Sequence, residues 1–145
     1  MITAFYRFCI LPPVERRRTL EAAMYLLAVR LVLGLLPLPR ALRCFGIAQG
    51  ETGGGRVAAP EAREVSCAIA RAARHVPFRA VCLQQAFAAL LMLRRRGLAA
   101  TVHLGLARQD GADDLTAHAW SRCGEVPVTG VGAARGFVSV AAFAG

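Results

Sequence analysis

The chain contains no lysine. All 18 of its basic residues are arginine, against nine acidic residues, which gives a net charge of +9 over 145 residues. A chain rich in Ala, Arg and Gly with no lysine points to a GC-rich bacterial genome. Strong positive charge admits a nucleic acid, a membrane surface or an acidic peptide as partner. The arginines are scattered, however, and the two short clusters at 16–18 and 94–96 stand at the ends of apolar helices, where they read as solvated ends. No basic face with interleaved aromatics is present, so nucleic acid is not expected as a partner. Apolar residues make up 56% and charged residues 19%, a balance that excludes a disordered chain.

Other absences narrow the class further. The five cysteines, Cys9, Cys44, Cys67, Cys82 and Cys123, are odd in number and contain no C-x-x-C pair. That excludes a disulfide framework and a zinc site of the usual spacing, and it fits a reducing, cytoplasmic setting. No metal and no cofactor are expected. Residues 1–12 lack the ordered charged, apolar and small-residue regions of a secretory signal. The longest apolar run, 19–39, is interrupted by Glu21 and Arg30. An arginine at a bilayer centre costs about 2.5–3.5 kcal/mol, so this run reads as a buried amphipathic helix, with a membrane-associated helix as the minority reading. The glycine-rich stretch 49–59 has neither a preceding strand nor a following Lys-Ser or Lys-Thr, which rules out a phosphate cradle.

What is present is a change of period along the chain. Pro12-Pro13 opens a helix expected over about 14–36, since a proline in the first turn loses no needed N–H. Leu20, Ala23, Met24, Leu27, Leu31 and Leu35 recur at helical spacing and are expected to form its packed stripe. Arg16, Arg17, Arg18 and Glu21 are expected to keep its first turns wet. A short helix follows from Pro39 to about residue 43, stopped at Gly46. Pro60 starts a third helix, with Val65, Ala68, Ile69, Ala72 and Ala73 inward. The fourth helix, 82–96, is apolar almost all round and is therefore central. From Thr101 the period becomes two. Strands are expected at 101–106, at 115–122 with Thr116, His118 and Trp120 on one face, at 126–129 after a Cys123-Gly124 turn, and at 136–144. Helices first and antiparallel strands after argue an α+β fold. The whole, 1–145, is expected to be a single domain. Its parts are a helical segment 1–48, the glycine-rich loop 49–59 and a catalytic segment 60–145.

Cys82 and His118 carry the chemistry. A thiol at a helix start lies beside unpaired N–H groups and a partial positive charge, which favour the nucleophilic thiolate. A histidine beside it acts as acid and base, and the N–H groups of the helix start can hold an oxyanion. Gln84 and Gln85 are side-chain donors in reach of the same place, or face solvent. His118 lies between two alanines and two residues before the only tryptophan, a setting suited to a pocket. His103 reads as a surface or pocket-lining residue, and His75 as the cationic end of the third helix.

The Cys-Leu helix start at 82–83, its Leu-Arg-Arg-Arg-Gly end, the Val-His-Leu-Gly-Leu strand and Ala-His-Ala-Trp at 117–120 occur in that order. With the N-terminal Arg-Arg-Arg-x-Leu-x-Ala and Leu-Leu-Pro-x-Pro-Arg motifs, the chain resembles, from about residue 12 to 143, the transglutaminase-like leader peptidase of lasso-peptide biosynthesis, the C-terminal half of the B protein. The resemblance implies a transglutaminase-like or papain-like fold, with a Cys-bearing helix packed on a small antiparallel sheet. It implies a cysteine peptidase that removes the leader from a ribosomally made precursor peptide. Cys82 would be the nucleophile and His118 the acid and base. It also implies two partners, a leader-binding protein (expected here as a separate chain, or as a part outside this sequence) and an ATP-dependent, asparagine-synthetase-like cyclase. The pattern has an aspartate about a dozen residues after the histidine to orient it. Here that place reads Val128-Thr129-Gly130. With the turn at Cys123-Gly124, Thr129 falls across from His118 and is the candidate acceptor. Asp113, Asp114 and Glu125 receive no such role. The alternative is a catalytically impaired scaffold that docks the precursor or the cyclase.

Overall fold

The computed structural model describes residues 8–51, 55–108 and 114–145. Residues 1–7, the centre of the glycine-rich stretch (52–54) and residues 109–113, Asp113 among them, lie outside the described residues. Four principal helices are followed by most of the sheet. They are α1 (Pro13–Leu35), α2 (Leu38–Phe45), α3 (Ala59–Ala73) and α4 (Cys82–Arg95). The strands are β1 (Ala48–Gln49), β2 (Thr101–Arg108), β3 (Leu115–Cys123), β4 (Val126–Thr129) and β5 (Val138–Ala144), in the order β1-β5-β2-β3-β4. Every neighbouring pair of strands is antiparallel. The α+β expectation is met.

Local sequence sets the helix ends. α1, α2 and α3 each carry proline in the first two positions, where its fixed φ suits the helix and its missing N–H costs nothing. Gly46 ends α2 in the left-handed region at φ 64°, and Ile47 N–H returns to Leu42 O at 2.9 Å, the pairing that closes a helix on a glycine.

α4 is the central helix. Every residue from Ala86 to Leu93 is buried, and burying side chains such as Phe87, Leu90 and Leu93 contributes about 1.5–3 kcal/mol each. The Phe87 ring meets that of Phe143 on β5 at 6.1 Å. Phe143 pairs with Val102, and Val102 with Ser121, so α4 covers the sheet face formed by those residues. Ala119, Ser121 and Cys123 are buried on that side. His118 and Trp120 alternate onto the other.

The rotation of α1 corrects the expectation. Its buried face is Thr19, Ala22, Leu26 and Val29. Leu20, Met24, Leu27, Leu31 and Leu35 are exposed. The helix is apolar on both sides, and both sets satisfy the helical period, so periodicity alone could not choose between them. Ion pairs line the rim of the observed orientation. Glu15 meets Arg71 at 3.1 Å and Arg18 meets Glu64 at 2.8 Å, both on α3. Glu21 takes Arg96 through both its oxygens, at 2.7 and 3.2 Å. Glu21 is therefore not a wet residue. Arg96 also donates to Met92 O, and Arg94 to Gly46 O. The arginine clusters thus include residues that fasten the helices together.

Candidate active site

Cys82 is the first residue of α4 and is half-buried. The residue before it, Val81, is extended and offers no side-chain cap. The first helical rung is Gln85 N–H to Val81 O, at 3.1 Å. The N–H groups of Cys82, Leu83 and Gln84 precede that rung and receive no side-chain acceptor from the capping position. A serine or aspartate there would occupy one of them; valine leaves the field of the helix start directed at the thiol. Gln84 Oε1 accepts the Val81 N–H at 3.4 Å, and Gln85 Nε2 donates to Ala80 O at 2.8 Å. Gln85 therefore braces the approach to the helix. Arg30 of α1 lies 4.7 Å from the centre of the Phe78 ring, a second brace on the same segment.

His118 is half-buried on β3. Its Nε2 lies 2.8 Å from Gly130 O. A carbonyl only accepts, so Nε2 carries the proton, and in the neutral ring Nδ1 is left with the free lone pair. Trp120 stacks on the imidazole at 6.1 Å and 21°, and Phe137 lies against it at 5.3 Å. Gly130 has φ +67°, and a Cβ built there would stand 2.7 Å from Ala119 O and 3.1 Å from His118 Nε2. Only glycine fits both the backbone and the space. Gly105 does the same for the indole, since a Cβ there would stand 2.6 Å from Trp120.

Thr129 is not across from His118. The turn falls at Gly124-Glu125, one residue later than expected, and a register shift follows between Ser121 and Arg122. Together they slide Thr129 three places, so that it pairs with Ser121. Its Oγ1 bonds Ser121 Oγ at 2.8 Å in the buried interior. The acceptor for His118 is instead the next residue's backbone carbonyl. Residue names give no sign of that contact, although a glycine closing β4 hints at a left-handed turn. The β3–β4 ladder ends at Thr129, so β3 at His118 is paired to β2 alone.

Other sequence candidates fall outside this arrangement. His75 is exposed, and its Nδ1 sits 2.7 Å from Arg71 O in the last turn of α3. Glu125 is fully exposed beside Arg122, and Asp114 is exposed. His103 stacks on the far side of the aromatic group, 5.5 Å from the Trp120 ring. Burial lowers its pKa below the ordinary value; Glu51 opposes that shift and Arg122 adds to it. Among the described residues no hydrogen bond joins Cys82 and His118, and no group of three His, Cys, Asp or Glu side chains could hold a metal ion. All five cysteines are free thiols. No described helix is long and apolar enough to cross a membrane.

The site thus has a thiol at the uncapped start of a central helix, a histidine on a following antiparallel strand and a backbone acceptor behind that histidine, all in an α+β fold. A family model for the transglutaminase-like superfamily matches residues 24–142. The chain belongs to that superfamily, which includes cysteine peptidases and transglutaminases. No curated protein and no solved structure matches it.

Proposed function

We propose that this protein is a cytoplasmic cysteine peptidase that removes the leader from a lasso-peptide precursor before macrocyclisation. The observation that carries the reading is Cys82 at the uncapped start of α4 in a chain of this superfamily. The Cys-Leu, Val-His-Leu-Gly-Leu and Ala-His-Ala-Trp motifs direct it to the leader peptidases. Cys82 Sγ, as thiolate, attacks the scissile carbonyl while the N–H groups at the start of α4 hold the developing oxyanion. His118 Nδ1, the nitrogen not engaged by Gly130, takes the proton of the Cys82 thiol and passes it to the leaving amine. The thioester is then hydrolysed by a water that gives its proton to the same nitrogen. The reading requires the thiol to reach the imidazole past the unpaired edge of β3, since His118 stands on the sheet face away from α4; catalytic hydrogen bonds commonly tighten only once substrate is bound. Thr129 supports the hairpin, and the Gly130 carbonyl takes the orienting role. The partners are the precursor peptide, a leader-binding protein and the ATP-dependent, asparagine-synthetase-like cyclase that consumes the freed amino terminus.

A scaffold reading draws on one observation: among the described residues, neither a hydrogen bond to Cys82 nor a carboxylate engages His118. Intact-mass analysis of the cognate precursor, with and without the leader-binding protein, separates the two. Peptidase action gives one leader-release product that Cys82→Ala and His118→Ala abolish. No cleavage under any condition leaves the scaffold.

A further inference from the structure

We propose that the groove between the end of α1 and the start of α4 binds an apolar side chain of the peptide that Cys82 attacks. The inference rests on the reading of Cys82 as nucleophile and adds the substrate feature recognised beside it. The groove encloses about 470 Å³, within the size range of ligand pockets. Leu31, Gly34 and Leu35 line one wall; Val81, Leu83 and Gln84 line the other. Val81 and Leu83 are the immediate neighbours of Cys82 in the chain. With neighbouring Cα atoms ~3.8 Å apart, a side chain held here belongs to a residue next to the scissile bond or one removed.

Three observations favour a peptide as occupant. The walls are apolar yet open, with Leu31, Leu35 and Val81 all exposed. Two polar groups stand at the groove, as peptide recognition requires. Gln84 spends its Oε1 on the Val81 N–H and keeps its amide donors for an incoming carbonyl. The Arg30 guanidinium, a wall residue, lies over Phe78 and meets no carboxylate among the described residues. The third observation is Gly34. Glycine is a poor helix former, and neither backbone nor packing calls for one here: no positive φ is recorded for it and no atom lies within 4 Å of where its Cβ would stand. Its effect is to leave the groove open.

The test uses N-acetyl dipeptidyl chloromethyl ketones carrying Leu, Asp or Gly beside the reactive carbon. In each, the thiolate displaces chloride to form a C–S bond. Labelling of Cys82 is followed by peptide mapping, with iodoacetamide as a reagent that needs no groove. The Leu probe is expected to label at least tenfold faster than the Gly probe. Gly34→Leu, which fills the groove with a better helix former, should erase that preference and leave the iodoacetamide rate unchanged. Equal rates for the probes, or a preference that survives Gly34→Leu, overturn the inference while Cys82 stands as nucleophile. Occupancy is read independently in a Cys82→Ala, Gly34→Cys protein. There N-acetyl-alanyl-leucine amide should slow iodoacetamide alkylation of the introduced thiol more than N-acetyl-alanyl-glycine amide does. Protection by the leader-binding protein but by neither dipeptide would make the groove a protein-docking surface and refute the proposal. Protection by the leucine dipeptide in a protein whose Cys82 cleaves nothing would leave the groove in place and remove the nucleophile.

Discussion

Replacing Gly130 with alanine strikes the point at which backbone geometry and the imidazole meet. The residue sits at φ +67°, where a side chain costs roughly 1–2 kcal/mol. The added methyl would also stand 2.7 Å from the Ala119 carbonyl. That oxygen belongs to a paired strand and cannot move aside freely, so overpacking adds about 1–3 kcal/mol. Gly97 provides the control. Its φ is +68°, and nothing lies within 4 Å of its missing Cβ. Gly97→Ala pays the backbone cost alone. Urea denaturation should therefore place Gly130→Ala below Gly97→Ala by the overpacking term. The functional consequence is separable. Loss of the 2.8 Å bond from His118 Nε2 to Gly130 O forfeits about 0.5–1.5 kcal/mol of orientation, which is about 2- to 13-fold in precursor turnover at saturating substrate. Gly97→Ala should turn over normally at a temperature where both variants are folded. Equal turnover by Gly130→Ala and the parent would refute the orienting role of that carbonyl. Equal stability of the two variants would refute the steric argument.

The rotation of α1 predicts opposite outcomes for adjacent leucines. Leu26→Ala should cost about 2–5 kcal/mol by urea denaturation, because Leu26 is fully buried; Leu27→Ala should stay within about 0.5 kcal/mol of the parent. Glu21→Gln breaks the bidentate pair with Arg96 at a cost of about 1–3 kcal/mol, whereas Glu125→Gln should leave the urea midpoint unchanged. His103 has a pKa below 6.5, chiefly through burial, so the unfolded chain takes up its proton first as pH falls. The stability this contributes is complete above 6.5 and is lost as pH drops from there through the folded pKa. The urea midpoint of His103→Gln should accordingly fall less steeply than the parent's in that window.

Much of this architecture is visible in the sequence, and the exceptions have physical causes. The shift from a period near four to a period of two marks where helices give way to strands, and alternation alone sets His118 and Trp120 on one face. Cys82 at a helix start follows from the apolar run behind it. The seam of α1 does not, because Leu20, Met24, Leu27 and Leu31 match a helical stripe as well as Ala22, Leu26 and Val29 do. The observed orientation brings Glu15, Arg18 and Glu21 to partners that stand 46–75 residues away in the chain, a pairing that local periodicity does not contain. The placing of Thr129 fails for a different reason. A turn one residue later and a bulge invisible in composition move it three places. The group it was expected to supply comes from a backbone carbonyl, which every residue has and no sequence pattern distinguishes.

The central claim is that Cys82 becomes covalently acylated by the leader. The most direct measurement is acid-quenched intact-mass analysis of the protein during turnover of precursor in the presence of the leader-binding protein. The account predicts a transient adduct equal to the leader less one water, mapped to the peptide containing Cys82 and absent from Cys82→Ala. Leader release by Cys82→Ala, or an adduct mapped to another thiol such as Cys67, would contradict it.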